Sequence, residues 1–138
     1  MNEQVALQRF LLAHVAVLGT VTPDGGPHLV PVTFVLVGRS VAFAIDHKPK
    51  TTARLRRLAN IQHQPRVSFL VHHYSPDWSE LWWVRVDARH EDLPDGPHRT
   101  TLIEALGDKY PEYRRVVPTV IVSSTIERVV AWAASDSG

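Results

Sequence analysis

The sequence predicts a mainly β domain in which six strands curl into a closed or nearly closed barrel with helices outside it. Three observations carry this prediction. Short runs rich in β-branched residues are separated by turns built on Gly and Pro. These runs are apolar on both faces, whereas a flat sheet with one wet face would alternate. Three other segments switch to the three- and four-residue apolar spacing of amphipathic helices.

The first of those helices is marked by Val5, Ala6, Leu7, Phe10, Leu11 and Ala13. From His14 to Val21 the pattern becomes HVAVLGTV, a first strand. Pro23-Asp24-Gly25-Gly26 follows; Pro presets one turn angle and Gly supplies a positive φ, so a hairpin turn is expected. His28 to Val37 is the second strand, and Gly38-Arg39 turns the chain into a third, Val41 to Ile45. Pro31 has no N–H to give to a ladder, so it marks an edge or an interruption in strand two, where a ligand could reach the backbone. Lys50 to Asn60 is the second helix, limited by Pro65. Arg66 to His73 is strand four, and Tyr74-Ser75-Pro76-Asp77-Trp78 is a loop. Leu81 to Ala88 is strand five. Pro94-Asp95-Gly96-Pro97 is a loop, and His98 to Leu106 is the third helix, with Asp95 or Thr100 as its cap. Pro111 opens a short turn reaching Arg115, in which Tyr110 and Tyr113 pack, and Thr119 to Ala131 is the last strand.

The chain has 138 residues, 44% hydrophobic and 21% charged, which favours one globular domain over residues 1–138. It has no cysteine, so disulfides and Cys-based zinc sites are excluded, and a reducing, cytoplasmic setting is expected. Glu3, Arg9 and His14 interrupt the apolar residues of the N-terminus, so no signal peptide is expected there. No apolar run reaches the ~18 residues of a membrane span. The net charge of +1 gives no argument for nucleic acid. Eight histidines raise the question of a metal, but no HExxH pattern occurs, and His72 and His73 point to opposite faces of one strand. No metal site is expected.

The sharpest functional signal lies between Asp46 and Asp77. No acidic residue interrupts this interval, yet it carries Lys48, Lys50, Arg54, Arg56, Arg57 and Arg66. On a helix Lys50, Arg54 and Arg57 fall at i, i+4 and i+7, a single stripe. Like charges so placed repel by a few tenths of a kcal/mol per pair, a cost that an anion would offset. A helix start adds free N–H groups and a positive dipole end, and Thr51 and Thr52 add hydroxyls. A phosphate and a second negative group fit this set. A solvated basic face and a nucleic-acid patch are the competing readings.

The succession TVTPDGGPHLVPVTF, then IDHKPKTTARLRRLANI, then QPRVSFLV resembles the pyridoxamine-5′-phosphate-oxidase-type flavoproteins, over about Leu11 to Val130. Two stretches, DHKPKTT and YSPDWSELWWVRVDA, resemble more narrowly a branch that uses the deazaflavin coenzyme F420 in place of FMN. The resemblance implies a six-stranded antiparallel split β-barrel and a homodimer with the cofactor at its interface. It implies a phosphate grip at Lys50, Thr51, Thr52 and Arg57, with Lys48 and Arg54 as further candidates. The ring system would lie against His28, Pro31, Val32 and Thr33, and the region from Trp78 to Trp83 would offer stacking surface from either protomer. Ala59 and Ala88 depart from the family pattern, which often has a basic residue and a Gly there. The implied activity is hydride transfer between reduced F420 and a small conjugated substrate. No catalytic residue is assigned, and the protonating group is solvent, His28 or Tyr74. An FMN-dependent oxidase or reductase, and a cofactor carrier without turnover, are the alternatives.

Overall fold

Seven strands form one antiparallel sheet in the computed structural model, which describes residues 1–45 and 52–136. In chain order the elements are α1 (Glu3–Leu12), β1 (Ala16–Val21), β2 (Pro27–Val32), β3 (Val35–Val37), β4 (Ser40–Ile45), α2 (Thr52–His63), β5 (Arg66–His73), β6 (Trp82–Glu91), α3 (Pro97–Lys109), α4 (Glu112–Arg115) and β7 (Val120–Ala133). The sheet order is β2-β1-β5-β6-β7-β4-β3.

The two edge strands, β2 and β3, are neighbours in the chain, separated only by Thr33 and Phe34. A sheet whose opposite edges are joined by two residues must curl, because two residues span at most ~7 Å. The result is a barrel split along a seam at Thr33–Phe34. The sequence led us to expect one strand over residues 28–37 and six strands in all. The break at the seam makes seven, and Pro31 sits on an edge strand, where its missing N–H costs no ladder bond.

The interior is built from alternate residues of each strand. Leu18, Val32, Phe43, Phe69, Val84, Val86 and Val122 all point inward. Four phenylalanines meet at the centre: Phe10 and Phe34 stand 4.7 Å apart between ring centroids, Phe43 and Phe69 6.3 Å, and Phe10 and Phe69 6.4 Å. Burying each such side chain contributes about 1.5–3 kcal/mol. α1 closes one end of the barrel with Ala6 and Phe10, one helical turn apart and both fully buried. Asn2 caps that helix, its side-chain oxygen accepting the Val5 N–H at 2.8 Å. The hairpin between β1 and β2 closes as the turn chemistry requires, with Gly25 at φ 88° and the Thr22 N–H donating to the Gly26 carbonyl at 2.8 Å.

Two residues at the end of α3 fasten the seam. The Tyr110 hydroxyl accepts the Phe34 N–H at 3.1 Å and donates to the His14 carbonyl at 2.7 Å. The Lys109 ammonium donates to the Leu11 carbonyl at 3.1 Å and the Phe34 carbonyl at 3.0 Å, and it lies 4.0 Å from the centroid of the Phe34 ring. Helix α3 runs past the predicted Leu106 to Lys109 because these contacts hold its last turn on the barrel. Its start is at Gly96, with no side-chain cap; Asp95 pairs instead with Arg99 at 3.7 Å, and the Thr100 hydroxyl donates back to the Gly96 carbonyl. α2 likewise extends past Asn60 to His63, and Pro65 ends it as predicted.

A second polar knot ties β4, β6, β7 and α3 together. The Glu91 carboxylate accepts from Ser40 at 3.0 Å, from Ser123 at 2.8 Å and from Thr125, with the His98 ring nitrogen 3.6 Å away. Burial pushes the Glu91 carboxyl up, but the hydroxyls and His98 together outweigh it and hold it below the ordinary carboxylate value.

Both knots give a pH signature. Burial lowers the Lys109 ammonium from 10.5 to about 8. Above pH 8 the unfolded chain still binds this proton while the folded chain releases it, so stability rises with pH between about 8 and 10.5. Tyr110, raised above 10.0 by burial, opposes this only at the upper end of the window. Thermal unfolding of Lys109→Met should therefore show a flatter stability profile between pH 8 and 10 than wild type; parallel profiles would contradict the assignment. For Glu91 the sign is reversed, with stability present above the unfolded carboxylate value and lost as pH falls through the folded one. Glu91→Gln should cost about 1–2 kcal/mol at pH 7 in urea titrations. That gap should narrow as the pH drops through the carboxylate range.

Candidate functional site

Helix α2 packs against β1 and the barrel core. Asn60 and Ile61 are each 1% exposed, and Leu58 packs on the same core. Asn60 is a polar residue in an apolar place, its side chain held among the described residues by one bond: its amide donates to the Thr20 hydroxyl at 3.1 Å. Thr20, 3% exposed, stands across the β1–β2 ladder from His28. Arg57 lies one turn before Asn60 on the same helix. A polar wall therefore runs from α2 through β1 to β2.

This wall is incompletely satisfied. His28 Nδ1, Arg57 Nε and Asn60 Oδ1 are buried and have no hydrogen-bond partner among the described residues. Buried polar atoms are nearly always paired, and leaving one unpaired costs about 1–3 kcal/mol. The three offer a guanidinium donor, an amide acceptor and a ring nitrogen whose role follows its tautomer. A polar ligand that both donates and accepts fits them. A fourth such atom, Ser124 Oγ, lies apart on β7.

The predicted site residues divide into four sets. Lys48, Lys50 and Thr51 lie outside the described residues. Thr52 and Arg54 belong to the first turn of α2, and their side chains are likewise outside what is described. His28 joins the wall just described, and Arg57 lies one turn before Asn60 with its Nε buried. Pro31 is exposed on edge strand β2, and Val32, 5% exposed, faces the core, so only its backbone is available to a ligand. The Thr33 side chain is half-buried at the seam, its hydroxyl 2.8 Å from that of Tyr113. The pairing of Val35 with Ala42 means that β4, ending at Ile45, leaves the sheet beyond the start of β3, on the side where β2 ends. Ile45, the last described residue before α2, thus lies on the side of Val32 and Thr33. Trp78 does not join this corner within one chain. It is 77% exposed, and β1 and β5 separate its loop from β2.

Sequence reasoning missed Thr20 and Asn60 as members of the wall, and it gave Tyr110 and Tyr113 only a packing role. No local pattern points to them. Thr20 reads as one more β-branched residue in a strand, and Tyr110 and Tyr113 meet partners 76 to 96 positions away.

The outward face of the sheet carries the other recesses. One depression of about 730 Å³ is lined by Gly19, Leu29, Ser68, Arg85, Asp87 and Arg128. A second, of about 520 Å³, lies among Leu70, His72, Tyr74 and Trp83. Asp87 accepts from Ser68 at 2.7 Å and from Arg85 at 2.9 and 3.2 Å, so the charges at the centre of this face neutralise one another. Around them Leu29 is 69% exposed and Trp132 44%.

Among the solved structures that share this architecture are the following three. A conserved hypothetical protein from Mycobacterium tuberculosis superposes with a TM-score of 0.74 at 20% identity, over 97% of this chain and 86% of its own. An FAD-binding protein from Mesorhizobium loti gives 0.72 at 20% identity, over 95% and 94%. HutZ, the heme storage protein from Vibrio cholerae, gives 0.69 at 16% identity, over 96% and 95%. At such identities the likeness is one of fold. No functionally curated protein matches the chain in sequence. Among the described residues no helix is long and apolar enough to cross a membrane. The cationic stretch of sequence, the polar wall and the split sheet all fall within residues 4–133, which match the pyridoxamine 5′-phosphate oxidase family, and the chain belongs to that family.

Proposed function

We propose that this protein binds a phosphate-bearing flavin-type cofactor, coenzyme F420 in first place and FMN as the alternative, and uses it to reduce a small conjugated molecule. The observation that carries the reading is a set of buried atoms with no partner among the described residues, His28 Nδ1, Arg57 Nε and Asn60 Oδ1, of which the last two belong to a run of sequence rich in cations and free of acids. A phosphate-bearing, hydrogen-bonding ligand satisfies both features at once. Family membership and the FAD-binding neighbour support a flavin-type ligand. The heme storage protein on the same fold favours keeping turnover and mere carriage as separate outcomes.

On this reading the start of α2 and the segment before it neutralise the phosphate. Lys50, Thr51, Thr52 and Arg57 do most of this, with Lys48 and Arg54 beside them. Arg57, Asn60 and His28 present polar atoms to the ligand, while Pro31, Val32 and Thr33 of the edge strand give the ring system a surface to lie against. The cofactor supplies the hydride chemistry. The chain's contribution is orientation and exclusion of water by the apolar barrel behind the wall. No acid or base residue is assigned to the transfer.

The same reading makes the protein a homodimer, with the outward face of the sheet as the contact between two copies. That face joins exposed Leu29 and Trp132 around the internally neutralised Ser68–Asp87–Arg85 group. Trp78 would then reach the cofactor from the partner. We place the protein in the cytoplasm, in keeping with its lack of cysteine.

Titration of the purified protein with F420 and with FMN, followed by absorbance, tests the cofactor. F420 should bind more tightly than FMN. The Lys50→Ala/Arg57→Ala double variant should bind at least tenfold more weakly, since each charge-assisted hydrogen bond contributes about 1.5–3 kcal/mol. Unchanged affinity in a folded variant would refute the site. A panel of enones and quinones offered with the reduced cofactor separates enzyme from carrier, and consumption of at least one member is expected.

A further inference from the structure

We infer that Tyr113 is a positioning residue for the cofactor: its hydroxyl fixes the Thr33 hydroxyl so that Thr33 presents a proton to an acceptor on the edge of the ring. This deepens the reading above and rests on it.

Thr33 lies in neither β2 nor β3; it is the first residue of the two-residue seam. Its neighbour Phe34 is fully buried, with its N–H bonded to Tyr110 and its carbonyl to Lys109. The backbone at Thr33 is thereby held in place, and the main freedom left is rotation of its side chain. The 2.8 Å contact with the Tyr113 hydroxyl removes that freedom. The two residues are 80 positions apart, so the contact depends on α4 being folded against the seam. Tyr113 is itself set by an edge-to-face contact with Tyr110, with ring centroids 5.7 Å apart and planes at 78°.

Donor and acceptor follow from acidity. A phenol, with a pKa near 10, is a far stronger acid than an aliphatic alcohol, so Tyr113 is the better donor of the pair. When Tyr113 donates, the Thr33 oxygen accepts and its own proton is left for a third group. Among the described residues the Thr33 hydroxyl has no other hydrogen-bond partner, and its side chain is half-buried next to the edge strand. The group that completes the chain is an acceptor on a planar heterocycle, a ring carbonyl oxygen or ring nitrogen. Without Tyr113 the Thr33 hydroxyl can turn to donate elsewhere, and the ligand loses an oriented bond while the pocket keeps its shape.

A double-mutant cycle tests this. F420 and FMN affinities and the visible absorption maximum of the bound cofactor are measured for wild type, Tyr113→Phe, Thr33→Val and the double variant, with thermal unfolding beside them. Tyr113→Phe keeps the ring and its packing. It should weaken binding about three- to tenfold, a typical hydrogen-bond effect, and should shift the bound cofactor's absorption maximum at little cost in melting temperature. Thr33→Val should weaken binding at least as much, and the double variant no further than Thr33→Val alone, because the two hydroxyls act as one unit. Thr33→Ser should restore both affinity and spectrum. Additive losses, or a Tyr113→Phe protein with wild-type affinity and spectrum, would overturn the inference while leaving the cofactor reading intact. A wild-type protein that binds neither cofactor would overturn both.

Discussion

The bonds that Tyr110 and Lys109 make to Phe34 are the constraint on which the rest of this structure depends. A sheet whose edge strands are joined by two residues can close only if those residues are held where the edges converge. Phe34 is held twice, by its backbone in hydrogen bonds to α3 and by its ring inside the aromatic core. Polar fastening from outside and apolar packing from inside act on one residue. Together they let the barrel stay open along one line without exposing a long, flat edge.

That open line is also what makes the fold useful. Edge strand β2 has one side of its backbone outside the ladder, and α2 brings Arg57 and Asn60 against the same region of the barrel. An apolar barrel has no structural need for Asn60, Thr20 and His28. Three of the polar atoms in that wall find no partner within the described chain, which destabilises the protein unless something else supplies one. Strain or unsatisfied polarity retained in a fold commonly marks the place where a ligand acts, and here it coincides with the longest acid-free, cation-rich stretch.

Much of this was legible in the sequence. Arg66 to His73 reads as a strand from composition alone and is one, and Pro23-Asp24-Gly25-Gly26 reads as a turn because Gly25 must adopt positive φ. The cationic stripe is legible because helical spacing is a local property. The seam was legible only as the hint given by Pro31, since a strand pattern continues through Thr33 and Phe34 and nothing local says that the ladder stops there. Asn60 and Thr20 were invisible as a pair because their meeting depends on how α2 lies across β1. Tyr113 was invisible for the same reason, its partner being 80 residues away. Trp78 shows a further limit: the resemblance offered its stacking surface from either protomer, and within one chain two strands separate its loop from β2.

Amide hydrogen exchange of the protein with and without F420 tests the central claim most directly, because it reports which backbone segments a ligand protects. The account predicts slowed exchange in two segments, residues 27–34 along the edge strand and seam and residues 50–60 at the start of α2, on addition of F420, with FMN giving a weaker version of the same pattern. Protection confined to β5 and β6 on the outward face, or none at saturating cofactor, would contradict it.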